Sequence, residues 1–87
     1  MSSPAHPGTH RVLVVEDDEN LRLVLVDNLV AEHYAVTAAK TAREARRAIE
    51  LASYDLVVLD LMLPDGDGYT LAKELRAQGR SERILML

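Results

Sequence analysis

The sequence predicts an α/β fold, a parallel sheet doubly wound by helices, and two observations carry that prediction. The first is alternation. Apolar, β-rich runs and helical runs follow one another three times along the chain, the pattern of right-handed βαβ units. The second is where the acids stand. Two of the apolar runs, Val12–Val15 and Leu56–Leu59, lead directly into carboxylates, Glu16-Asp17 and Asp60. In an open α/β sheet, the residues just past the carboxyl ends of the strands line the crevice where ligands bind.

A chain of 87 residues, 48% of them hydrophobic, makes one small domain with a core and little margin. Without cysteine it holds no disulfide framework and no thiolate metal site, which fits a reducing compartment. Its formal net charge of −4, with only Tyr34, Tyr54 and Tyr69 as aromatics, argues against direct binding of nucleic acid. No apolar run approaches the ~18 residues of a membrane span, and the N-terminus lacks the apolar stretch of a signal peptide. A soluble, cytoplasmic protein with no membrane partner is expected.

Residues 1 to 10, with Pro4, Pro7 and Gly8, have no hydrophobic period and are expected to form a disordered tail; His6 and His10 read as solvated. The domain is expected over 11–87. Val12–Val15 is the first buried-type strand. Asp18 is a helix N-cap and Glu19 favours the first turn, but capping leaves Glu16 and Asp17 unexplained. Leu21, Val24, Leu25, Asn28 and Leu29 keep helical spacing, so Glu19 to Ala31 is predicted as a helix with that stripe inward. Leu23, Val26 and Val30 extend its apolar surface beyond one face, toward either a neighbouring helix or a docking patch.

Tyr34 to Ala38 is a weak strand suited to a sheet edge. Thr41-Ala-Arg-Glu44 is a capping box. The helix it opens carries Ala45, Ala48, Ile49 and Ala52 on one face and Arg43, Arg46, Arg47 and Glu50 on the other. Leu56–Leu59 then delivers Asp60, followed by Pro64 and the turn-rich Asp65-Gly66-Asp67-Gly68. Asp67 caps a third helix with Leu71, Ala72 and Leu75 inside, and Gly79 stops it. Ile84 to Leu87 reads as a fourth buried-type strand.

With the first and third strands adjacent, Glu16, Asp17 and Asp60 would converge at the crevice. Three ionised carboxylates that close repel one another, so either one takes up a proton or a cation joins them. An all-oxygen ligand set of this charge suits a hard divalent ion, Mg²⁺ above others. The chemistry that follows is phosphoryl transfer onto Asp60. The turn after the first strand is acidic where a dinucleotide-binding loop is glycine-rich, which disfavours NAD.

Val14-Val-Glu-Asp-Asp18, followed by Val58-Leu-Asp-Leu-Met-Leu-Pro-Asp-Gly-Asp-Gly68, resembles the receiver domain of two-component response regulators, in particular regulators whose second domain binds DNA. The resemblance covers Arg11 to Leu87. It implies a flavodoxin-like doubly wound sheet, of which four strands and three helices are expected here, without the family's fifth strand and last two helices. It implies that Asp60 is the phosphoacceptor, that Asp17 and Asp60 ligate Mg²⁺ directly, that Glu16 does so through water, and that the backbone carbonyl of Met62 is a further ligand. It implies a histidine kinase or phosphotransfer protein as partner, with Leu23 and Val26 as docking candidates.

The family's hydroxyl residue after the fourth strand and its lysine after the fifth have no counterpart up to Leu87. An interaction-only fragment, unable to be phosphorylated or to switch, is therefore the alternative to a working receiver. In either case the 84–87 edge is expected to be open to self-association. An aspartate-nucleophile phosphatase would want a second Asp where Met62 stands. A signalling module, not a turnover enzyme, is the expectation.

Overall fold

Every residue from Val12 to Val15 is apolar, so that strand needs cover on both faces, and the fold supplies it. The computed structural model describes residues 9–87. Along the chain come β1 (Arg11–Val15), α1 (Glu19–Ala31), β2 (Ala35–Ala39), α2 (Ala42–Leu51), β3 (Leu56–Leu59), β4 (Met62–Leu63), β5 (Gly66–Asp67), α3 (Gly68–Ala77) and β6 (Arg83–Met86). Four of the strands form one parallel sheet in the order β2-β1-β3-β6, with the weak strand β2 at an edge as its composition suggests.

Strand periodicity divides the core in two. Leu13, Val15, Val57 and Leu59 face one side, where Ala42, Ala45 and Ile49 of α2 and Leu71 and Leu75 of α3 close over them. Val12, Val14 and Val58 face the other, under Leu25, Val26 and Leu29 of α1. The helices thus wind the sheet on both sides. No helix among the described residues is long and apolar enough to cross a membrane.

The caps follow the sequence closely. Asp18 accepts from the Leu21 N–H at 2.9 Å and Asp67 from the Thr70 N–H at 2.7 Å. Thr41 accepts from the Glu44 N–H at 3.0 Å, and the Glu44 carboxylate reaches back to the N–H of Lys40, one residue before the cap. Gly79, at φ 77°, takes the left-handed turn after α3 that a side chain would strain.

Four expectations need correction. The stripe of α1 is rotated: Leu21 and Val24 stand 43% and 55% exposed, while Val26 packs on the sheet with Leu25 and Leu29. This helix is apolar nearly all round, so its pattern does not fix which side turns inward. The last strand starts and ends one residue earlier than predicted, at Arg83 and Met86, and is not of the buried type, since Leu85 stands 53% exposed. The His10 carbonyl accepts from the Ala35 N–H at 2.9 Å, and residues 1–8, with His6, lie outside the described residues. The second strand starts and ends one residue later than predicted, at Ala35 and Ala39. The segment after Asp60 is a hairpin, with Met62 paired to Asp67 and Leu63 to Gly66 around Pro64-Asp65.

At the amino edge of the sheet the Arg80 guanidinium makes a clamp. Its Nε donates to Glu82 Oε1 at 3.0 Å, its Nη1 to the Ile49 carbonyl at 2.6 Å and its Nη2 to the Ala52 carbonyl at 2.8 Å. A further bond joins Nη2 to Glu82 Oε2. Glu82 also accepts from the Tyr54 N–H at 3.2 Å. The end of α2, whose last carbonyls lack helical partners, is thereby tied to the turn before β6. The Arg80 guanidinium holds the Glu82 carboxyl down at about 2.

Candidate functional site

The two acidic strand ends meet because β1 and β3 are paired in register. Val15 lies opposite Leu59, and the Asp60 N–H donates to the Val15 carbonyl at 3.0 Å, so the residues that follow leave the sheet side by side. Carboxylate oxygens of Glu16, Asp17 and Asp60 lie within 4.8 Å of one another. Glu16 is buried, Asp60 is half-buried and Asp17 is exposed, so the cluster is graded from core to solvent.

Burial pushes the Glu16 carboxyl above its ordinary value. The Asp18 N–H, which donates to Glu16 Oε2 at 3.0 Å, pulls the other way, and the neighbouring Asp60 and Asp17 carboxylates add to the upward push. No salt bridge among the described residues relieves the cluster. Arg22 reaches this turn, but its Nη1 donates to the main-chain carbonyls of Glu16 and Asp17, at 3.1 and 3.3 Å. It forms no salt bridge with any of the three carboxylates. Three converging oxygen donors with uncompensated negative charge fit a hard divalent cation such as Mg²⁺.

Past Asp60 the chain folds back on itself. The Met62 N–H donates to Asp60 Oδ1 at 3.2 Å, placing Met62 directly beside the carboxylate. The hairpin β4–β5 follows, and the Gly68 N–H donates to the Leu61 carbonyl at 2.9 Å. Gly68 sits so close that a Cβ there would lie 2.2 Å from the Asp60 carbonyl oxygen. Only glycine lets α3 begin against the backbone of Asp60.

The two docking candidates part company. Leu23 stands 52% exposed on α1, whereas Val26 is half-buried against the cluster of Val12, Val14 and Val58. Two residues escaped notice in the sequence. Arg22 looked like an ordinary polar member of α1. Asp65 looked like a turn residue, yet its carboxylate accepts from the N–H groups of Ala42 at 2.7 Å and Arg43 at 3.0 Å, which hold it below the usual carboxylate range. The available signal for Asp65 was an acid following Pro64 in a short turn, and its distant partner lies 23 residues away.

Residues 12–87 match the response regulator receiver domain family. Protein RcaC of Microchaete diplosiphon is 43% identical over 77 residues, which are 88% of this chain and 12% of that protein. Protein PetR of Rhodobacter capsulatus is 35% identical over 85 residues, 98% of this chain and 34% of the relative. The chain thus spans between 12% and 34% of the length of these two curated relatives.

Among solved structures, the non-phosphorylated HemR receiver domain from Leptospira biflexa superimposes with a TM-score of 0.84 at 41% identity. That match covers 90% of this chain and 63% of that one. The response regulator TrrA from Thermotoga maritima, solved in complex with Mg²⁺-BeF, gives 0.82 at 34% identity, over 87% and 66% of the two chains. A match running from the first buried strand residue to Leu87 takes in both acidic strand ends, and the chain belongs to the response regulator receiver domain family.

Proposed function

We propose that this chain is the phosphoacceptor module of a cytoplasmic two-component signalling system, taking a phosphoryl group from a histidine kinase or phosphotransfer protein onto Asp60. The observation that carries the reading is the convergence of Glu16, Asp17 and Asp60 at the carboxyl edge of the sheet. Asp60 directly follows β3, its Oδ1 accepts from the Met62 N–H, and we assign its other oxygen to the attack. That oxygen forms the new bond to phosphorus while the bond from phosphorus to the donor's imidazole nitrogen breaks. The electron pair leaves with the imidazole, which takes up a proton, and Asp60 becomes an acyl phosphate.

Asp17 and Asp60 would hold Mg²⁺ directly, with the Met62 carbonyl, and Glu16 would do so through water. When bound, Mg²⁺ neutralises the charge that otherwise opposes an incoming phosphoryl group. The chain's own contribution is positional: β1 and β3 fix the acids, and the Met62 N–H orients the acceptor. Such a module is modified once per signal and does not turn over substrate. Leu23, exposed on α1, is the residue we assign to kinase contact.

Incubation with acetyl phosphate and Mg²⁺ tests the chemistry, since acetate then leaves in place of imidazole. The wild-type chain is expected to be labelled and Asp60→Asn not at all; normal labelling of Asp60→Asn would falsify the assignment. Leu23→Glu should retain labelling by acetyl phosphate and lose rate only with a kinase donor. Equal loss with both donors sinks the docking role.

A further inference from the structure

The first turn of α2 needs partners for its leading N–H groups, and this helix finds two of them outside itself. Thr41 takes the Glu44 N–H through its side chain and the Ala45 N–H through its carbonyl. The N–H groups of Ala42 and Arg43 both go to Asp65, one to each carboxylate oxygen. Asp65 is not part of α2. It sits in the Pro64-Asp65 turn of the β4–β5 hairpin, five residues past the acceptor. The hairpin is seated on the start of α2 in a second way, because a Cβ on Gly66 would lie 3.6 Å from that of Ala42. Its inner residue, Leu63, is buried in the larger core.

A continuous chain of contacts therefore runs from α2 to the acceptor. Asp65 fastens the hairpin tip, the hairpin pairs Met62 with Asp67, and the Met62 N–H holds Asp60 Oδ1. We propose that Asp65 is a positioning residue of the acceptor site, locking the β4–β5 hairpin onto α2 so that Met62 presents its N–H to Asp60 and its carbonyl to the metal. The proposal rests on the phosphoacceptor reading above and assigns a task to a side chain that touches neither metal nor phosphoryl group. A cap that served α2 alone would stabilise the helix and leave the site indifferent to its loss.

Mg²⁺ titrations followed by amide NMR separate these roles. In Asp65→Ala the Met62 amide should move toward its unbonded position before any metal is added. The Mg²⁺ affinity should then fall roughly tenfold, as for other outer partners of metal ligands. Asp65→Asn keeps one acceptor oxygen and should lie between wild type and Asp65→Ala; it decides the matter if Asp65→Ala does not fold. Both variants should still be labelled on Asp60 at saturating Mg²⁺. A folded variant with a lower melting temperature but wild-type Mg²⁺ affinity and an unmoved Met62 amide overturns the proposal and leaves the acceptor reading standing. A wild-type chain with no Mg²⁺ response overturns both.

Discussion

The two edges of the sheet treat negative charge in opposite ways. At the amino edge, Glu82 is 7% exposed in its side chain and is met by the Arg80 guanidinium and the Tyr54 N–H. At the carboxyl edge, buried Glu16 is crowded by two further acids, and Arg22 is spent on main-chain carbonyls. One acid is neutralised within the fold and the others are left for something from outside. The difference separates an acid that holds the structure together from acids that the structure must restrain. Buried charge without a partner is costly, so the second arrangement persists where a ligand offsets it.

The largest test breaks the clamp. Arg80→Ala strands a buried carboxylate and uncovers the Ile49 and Ala52 carbonyls, and should cost about 3 kcal/mol in a urea melt. The wild-type clamp should also be pH-sensitive in a defined window. Glu82 is depressed to about 2 from an ordinary 4.5, so the unfolded chain binds its proton first as pH falls. The stability it contributes is complete above pH 4.5 and is lost between about 4.5 and 2. Glu82→Gln should flatten that limb, and an unchanged limb would assign it to other groups.

A smaller effect of opposite sign is expected at the other edge. Asp17→Ala relieves like-charge repulsion and should raise the metal-free stability by about 1 kcal/mol, while removing most of the stabilisation that Mg²⁺ gives the wild type. Melts with and without Mg²⁺ decide it, and a Mg²⁺ increment equal to the wild type's would take Asp17 out of the ligand set.

The smallest effect sharpens what burial contributes. Arg46 and Glu74 form a two-pronged pair, at 2.8 and 3.0 Å, with bonding as good as that at Arg80. Their side chains are 44% and 37% exposed. Arg46→Ala should therefore cost only about 0.5 kcal/mol. A loss matching that of Arg80→Ala would show that geometry, not burial, sets the strength of the clamp.

What was legible in the sequence follows from how local its cause is. The strands and caps were readable because a run of apolar residues or an Asp before a helix acts within a few residues. Glu16, Asp17 and Asp60 were readable because strand order in a doubly wound sheet brings two strand ends together whatever the details. The Asp65–α2 contact and the reach of Arg80 to the end of α2 were not, since each joins residues at least 22 positions apart through side-chain geometry alone. The rotation of α1 was hidden for another reason. A helix apolar on most sides carries no internal mark of which side is inside, and tertiary packing decides.

Gly68 joins these two edges mechanically. With no side chain between them, the start of α3 rests on the carbonyl of Asp60, and no compressible layer separates the two. Helix α3 is about 15 Å long, and three residues past its end the chain reaches Arg80. It spans the sheet like a pushrod. Close-packed interiors transmit displacement and do not absorb it, so any displacement of the Asp60 backbone would press first on the opening turn of α3.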